Sequence, residues 1–124
     1  MAMLPRRQQI LSNAAITGNG NSGTINNLGR DLYPNMLTVW EVTGAVTGTN
    51  PTLDFYIEAL QPSGNWLQIE HLPQLVATTG TTPLSNTNIN VVYQSLRVRW
   101  VVGGTGTPTF NGVYIDLYFA SPSA

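Results

Sequence analysis

The chain has no cysteine and no lysine, and a single histidine, His71, among its 124 residues. Without cysteine there is no disulfide framework, no thiol chemistry and no Cys-based zinc site. One histidine excludes a multi-His metal centre. Charge of either sign is scarce: Arg6, Arg7, Arg30, Arg97 and Arg99 stand against Asp31, Glu41, Asp54, Glu58, Glu70 and Asp116, 9% of residues, where a soluble domain carries about 25%. A net charge of −1 argues against a nucleic-acid partner, because phosphate binding needs a basic surface. It argues equally against electrostatic attachment to a membrane. No apolar run approaches the ~20 residues of a membrane span. The N-terminal MAMLPRRQQILSNAA holds no hydrophobic stretch of signal-peptide length. The nearest approach to a glycosylation sequon, Asn50-Pro51-Thr52, carries the excluded proline.

What is there instead is neutral polarity: 15 Thr, 12 Asn, 12 Gly and 8 Pro. The length suits one domain, able to bury roughly two-thirds of its unfolded surface. Two regions are expected. Residues 1–30 read as an N-terminal arm and loop. Within it, 6–15 (RRQQILSNAA) reads as a short, poorly capped helix, and 17–29 as a Gly/Asn-rich loop. The arm has too few apolar residues to pack a core of its own. Residues 31–124 read as a β-domain. Strands are predicted at 37–42 (LTVWEV), 53–60 (LDFYIEAL), 66–70 (WLQIE), 89–93 (INVVY), 96–102 (LRVRWVV) and 113–119 (VYIDLYF), from β-branched and aromatic enrichment and, in the clearest cases, period-2 alternation.

An internal repeat sharpens the picture. Leu37-Thr-Val-Trp-Glu-Val-Thr-Gly44 resembles Leu96-Arg-Val-Arg-Trp-Val-Val-Gly103. Each is followed by a Gly/Thr turn with Pro-Thr, and then by Tyr56-Ile57-Glu58 or Tyr114-Ile115-Asp116. Two strand–turn–strand hairpins, one in each sheet of a sandwich, are the natural reading. A repeat array would need at least three copies. Asp54, Glu58, Asp116, Arg97 and Arg99 fall on polar strand faces, where cross-strand ion pairs are expected. The fold expected is all-β: an antiparallel, jelly-roll-like β-sandwich of seven or eight strands with an extended N-terminal arm.

Motifs that suggest chemistry do not hold up. Gly18-Asn-Gly20-Asn-Ser-Gly23 matches a dinucleotide fingerprint, but the mechanism needs a helix after it, and Thr24-Ile-Asn-Asn-Leu-Gly29 does not read as one. His71 sits at a strand end with no nucleophile signature nearby, and reads as a rim histidine. Asp54 and Glu58 would lie about 13 Å apart along a strand, too far for two-carboxylate sugar hydrolysis. Trp40 and Trp100 read as core, while Trp66 after its turn, with Tyr56, offers a sugar-stacking platform. Neither an enzyme, a cofactor nor a metal is expected. A surface poor in Lys and Glu suits contact with other proteins better than an isolated monomer. An arm that cannot fold alone is expected to order against a neighbour.

The strings Val46-Thr-Gly-Thr-Asn-Pro-Thr-Leu53, Pro62-Ser-Gly-Asn-Trp66 and Leu96-Arg-Val-Arg-Trp100 with Gly103-Gly-Thr-Gly106, preceded by Asn27-Leu-Gly-Arg30, resemble a group of small tailed-bacteriophage β-sandwich virion proteins. These look like capsid decoration (cement) proteins, and the resemblance spans roughly residues 26–119. It implies a structural protein of the capsid surface, made in the host cytoplasm, that bridges capsomers. The partners implied are the major capsid protein and further copies of the chain, as a homo-oligomer and most simply a trimer, with no nucleic acid and no membrane. The partner contacts expected are Leu4, Pro5, Arg6, Arg7, Ile10 and Leu11 in the arm, with Arg30 and Tyr33 at its junction. The alternatives are a phage tail or baseplate component, or a carbohydrate-binding β-sandwich module using Trp66 and Tyr56.

Overall fold

A computed structural model describes residues 6–26, 35–76, 84–89 and 95–120, the side chains of Arg6, 35–37, 84–89 and Ala120 apart. Its seven elements are all strands: β1 (Arg6–Ile16), β2 (Gly20–Asn21), β3 (Asn35–Val42), β4 (Val46–Leu60), β5 (Trp66–His71), β6 (Leu84–Ile89) and β7 (Leu96–Ala120). No helix is long and apolar enough to cross a membrane. All pairing is antiparallel, and the sheet runs β5-β4-β7-β3-β6, with β1 and β2 also against β7.

The organising element is β7, 25 residues long. One side of it pairs with β3 (Asn35 opposite Ala120 to Val42 opposite Val113) and then with β4 (Val46 opposite Phe110 to Ala59 opposite Leu96). The other side pairs with β1 (Arg6 opposite Phe119 to Ile16 opposite Phe110), with β2, and with Ile25 opposite Leu96. Two four-stranded halves result. The β3 half runs β1, the C-terminal part of β7, β3, β6. The β4 half runs β5, β4, the N-terminal part of β7, β2.

Three expectations change. Residues 6–15 are strand rather than helix. Their helix-forming residues yield to the free edge of β7, whose backbone groups need partners. The segment also gives Ile16 and Ile25 to the common core, so residues 6–26 are paired along the domain. The two repeats are not hairpins. Neither Gly/Thr stretch reverses the chain, because each lies beside the other: Thr47 pairs with Thr109, Thr49 with Thr105 and Thr52 with Gly103, with register shifts between them. These bulges and the positive φ of Gly48, Asn50, Gly104, Gly106, Thr107 and Gly112 bend the ribbon without ending it. Finally, β6 lies at Leu84–Ile89, ahead of the strand expected at 89–93, whose residues after Ile89 lie outside the described ones.

The repeat is also one residue out of the register that the strings suggest. They match Trp40 with Arg99, yet Trp40 is fully buried and Arg99 is not. A uniform shift of 58 positions aligns the buried faces instead, carrying Thr38, Trp40 and Val42 onto Leu96, Val98 and Trp100, and Phe55, Ile57 and Ala59 onto Val113, Ile115 and Leu117. The pairing obeys the same rule. Trp40–Ile115 has its counterpart in Val98–Ile57, Thr38–Leu117 in Leu96–Ala59, and Val42–Val113 in Trp100–Phe55. The two copies therefore pair with each other about a local two-fold.

One buried cluster draws on both halves, with Trp40, Phe110 and Phe119 from one and Leu53, Phe55, Ile57, Leu72 and Leu96 from the other. Each such side chain contributes about 1.5–3 kcal/mol by leaving water. Leu75 closes one end by exchanging both backbone hydrogen bonds with Leu53, at 2.9 Å each. Not every buried group is satisfied: among the described residues, the Thr38 hydroxyl and the Trp40 indole N–H have no partner.

Thr38→Val keeps the shape and removes an unpartnered buried hydroxyl, so it should stabilise the fold by about 1 kcal/mol in urea unfolding. At the bend, a Cβ on Gly48 (φ +104°) would meet the Pro108 Cα at 2.8 Å, whereas one on Gly18 would meet nothing within 4 Å. Gly48→Ala should therefore cost about 1–3 kcal/mol. Gly18→Ala should be neutral or slightly stabilising. Equal midpoints for the two glycine variants would contradict the bend geometry.

Candidate interaction surface

The outer face of the β4 half is built from rows of directly opposed residues on neighbouring strands. One row is His71–Tyr56–Arg99–Asn21, across β5, β4, β7 and β2. Strands lie about 4.8 Å apart, so side chains standing off one row stack upon each other. The imidazole of His71 is stacked on Tyr56, centroids 4.4 Å apart and planes 17° apart. The Arg99 guanidinium lies 4.3 Å from the same ring's centroid. Because β5 and β7 flank β4 on opposite sides, the Tyr56 ring is held between the imidazole and the cation.

The next row carries the charge. Arg97 donates from Nε to Glu58 Oε1 at 2.7 Å, and Arg99 from Nε to Oε2 at 3.1 Å. One carboxylate, only 6% exposed, thus ties two arginines. Arg97 also lies over Trp66, 4.4 Å from its centroid. Beyond the aromatic row, Asp54 contacts His71 Nε2 through Oδ1 at 2.8 Å and accepts from Gln74 Nε2 at 2.9 Å. The cross-strand ion pairs expected of Arg97 and Arg99 are present. The chain from Gln74 through Asp54, His71, Tyr56, Arg99, Glu58 and Arg97 to Trp66 is continuous.

Among the described residues, the β3 half repeats the acid but not the ladder. Asp116 occupies the place of Glu58 under the 58-position shift. It accepts from Arg7 Nε and Nη2 at 3.1 and 2.7 Å, both on Oδ2, with the Tyr118 hydroxyl at 3.4 Å from the same oxygen. These bonds, reinforced by the Asp116 charge, raise the Arg7 pKa above its ordinary value. The guanidinium therefore stays charged at every pH at which the protein is handled.

The sequence-based contact residues fall in three groups. Arg7 is tied to Asp116, and Ile10 and Leu11 are half-buried against the chain's own core. Arg6 opens β1 opposite Phe119. Leu4, Pro5, Arg30 and Tyr33 lie outside the described residues. The structure brings Trp66 and Tyr56 onto the same face, as the sugar-stacking reading requires. However, Arg97 lies over Trp66, and Tyr56 is covered on both sides, which leaves no free Tyr56 face for a pyranose.

The Gly18–Gly23 segment follows a strand, β1, but lacks the helix that a dinucleotide loop needs after it. It enters β2 rather than a helix, and Gly20 is there because a Cβ would strike the Trp100 indole at 2.9 Å. Trp100 itself is half-buried, edge-on to Phe55 with centroids 6.4 Å apart. Beside it lies an open cavity of about 300 Å³ lined by Asn19, Gly20, Asn21, Arg99, Trp100 and Val101. Sequence reasoning missed this feature, because the lining depends on how a loop packs on a distant strand. Comparison with protein-family models and with curated proteins finds no match for the chain.

Glu58→Gln removes the charge that holds two arginines in place. It should cost about 1–3 kcal/mol in urea unfolding, and Arg97→Gln in that background should then add little. Independent, additive losses from the two substitutions would show that the network is not a unit.

Proposed function

We propose that this chain is a structural virion protein that decorates an icosahedral phage capsid and stabilises it by bridging capsomers. It would act as a homo-oligomer, most simply a trimer, bound to the major capsid protein. We propose also that the two sheet halves face each other as the layers of a jelly-roll-like β-sandwich. Each half has an apolar face that must be covered, and one buried cluster contains residues of both.

The observation that carries the functional reading is the fate of the scarce charges. Arg7, Arg97, Arg99, Glu58 and Asp116 bond to one another, and Asp54 to His71 and Gln74. With so little charge left for solvent, the exposed positions among the described residues are largely Thr, Asn and Gly. Such a surface can be buried against another protein without stripping water from many ions. The likeness of 46–53, 62–66 and 96–106 to small phage virion proteins directs that reading to a capsid. Those strings include the bend and the β4–β5 turn, where Gly64 donates to Gln61 O at 2.9 Å. The added binding energy is lost if the shell opens, which raises its resistance to internal pressure and heat.

Purified protein should co-sediment with undecorated, expanded phage heads and should be oligomeric by light scattering. A monomer that fails to co-sediment would overturn the reading. Deleting residues 1–25 is unsuitable as a test of the arm, because it removes β1 and two core isoleucines. Deleting residues 1–5 leaves β1 whole and should weaken co-sedimentation if Leu4 and Pro5 are contacts.

A further inference from the structure

We propose that the cavity between the β2 segment and β7 is a carboxylate-binding site, and that its natural ligand is an Asp or Glu side chain of an adjoining protein chain. The proposal does not depend on the capsid reading. It rests on the chemistry of the lining. Asn19 accepts from Val102 N at 2.8 Å and Asn21 accepts from Gly23 N at 2.9 Å, each through Oδ1. A backbone N–H can only donate, so these bonds fix the orientation of both amides. Among the described residues, neither Nδ2 has an acceptor, so each amide keeps a pair of donors. Arg99 lines the same cavity. Its Nε is used on Glu58, and among the described residues its terminal nitrogens have no acceptor. The polar side chains of the lining therefore offer donors and a cation, with the Trp100 indole as an apolar wall.

Charge and rigidity both favour an anion. Arg97 and Arg99 share the single charge of Glu58, so these three side chains together carry one positive charge. Asp54, the next carboxylate on this face, is engaged by His71 and Gln74. The Arg99 guanidinium is already fixed by Glu58 and Tyr56, so a ligand need not order it, and its planar fork suits a carboxylate. A protein carboxylate is favoured over a phosphate polymer by the chain's net charge of −1. It is favoured over an acidic sugar because Tyr56 is sandwiched and Trp66 lies under Arg97. Arginine, tryptophan and tyrosine are also the residues around which protein interfaces concentrate their binding energy.

The test is a titration of the ¹⁵N-labelled protein with sodium acetate, glucuronate and inorganic phosphate, each against sodium chloride at matched ionic strength. Acetate should shift the Asn19 and Asn21 side-chain amides and the Arg99 Nε–H saturably, with weak affinity of roughly millimolar order. Asn21→Asp keeps the acceptor for Gly23 N and puts a negative charge in the cavity. It should weaken acetate roughly tenfold or more, as should Arg99→Gln, while Arg7→Gln on the other half should leave binding unchanged. If Arg99→Gln does not fold, Arg99→Lys replaces it; it keeps the charge but loses the fork, and should also weaken binding. Non-saturating shifts, or full affinity in Asn21→Asp, would overturn the site. Tighter binding of phosphate or glucuronate than of acetate, by roughly tenfold, would overturn the protein-carboxylate assignment and point to a phosphate-bearing chain or an acidic glycan.

Discussion

A strand of 25 residues presents two long edges of backbone donors and acceptors, and none of these can be buried unpaired without a penalty of about 1–3 kcal/mol each. This constraint on β7 accounts for most of the rest of the fold. β3 and β4 run along one edge as consecutive segments, and residues 6–26 run along the other. β5 and β6 then attach to the far sides of β4 and β3. Because β7 serves both halves, anything that shifts its register moves every row of side chains in the molecule. The buried positions pass from even-numbered Leu96, Val98 and Phe110 to odd-numbered Val113, Ile115, Leu117 and Phe119. The change falls between Phe110 and Val113, so the chain at Gly112, whose φ is +63°, must insert a bulge, since a one-residue slip would otherwise turn the core face outward.

The outer face of the β4 half follows from the same geometry. Directly opposed residues on adjacent strands sit at the stacking distance of aromatic rings and guanidinium groups. Alternation on β4 and β7 is enough to put Tyr56 against Arg99 and Glu58 against Arg97. Isolated exposed ion pairs are worth little. Here Glu58 is nearly enclosed, and both cations are also braced by aromatic rings, so the arrangement is better regarded as a rigid surface element. With no lysine in the chain, every positive side chain other than a protonated His71 is a guanidinium, and each described one is held by a carboxylate, a ring or both.

Strands with one buried face were legible from residue order alone. Asp54, Tyr56 and Glu58 against Phe55, Ile57 and Ala59 are the clearest case, and the alternation of Arg97 and Arg99 with Leu96 and Val98 points to the cross-strand ion pairs. What was not legible depended on partners distant in sequence. Arg6–Ile16 contains residues that suit a helix, and only the open edge of β7 makes it a strand. Gly48-Thr-Asn-Pro-Thr52 has the composition of a reverse turn, and only its position beside Gly103–Pro108 makes it a bend. The repeat strings were misaligned by one residue because string similarity carries no information about which face is buried. The Asn19 and Asn21 lining was hidden for the same reason: a Gly/Asn-rich loop shows its chemistry only where it packs.

The local two-fold separates scaffold from function. Under the 58-position shift the core residues of the two copies correspond, and the pairing corresponds with them, so both halves solve the same packing problem. Their outer faces differ. Where one copy has Tyr56 opposite Arg99 and Glu58 opposite Arg97, the other has Tyr114 opposite Glu41 and Asp116 opposite Val39. The acid is retained in both, and its counter-ion comes from a different source: from β7 within the repeat in one half, and from Arg7 on β1 in the other. A packing requirement would treat the two faces alike, because the cores beneath them are alike. The asymmetry thus marks what the scaffold does not need. Two arginines, an aromatic stack and a donor-lined cavity converge on one face, and among the described residues the equivalent strands of the other half build no such ladder.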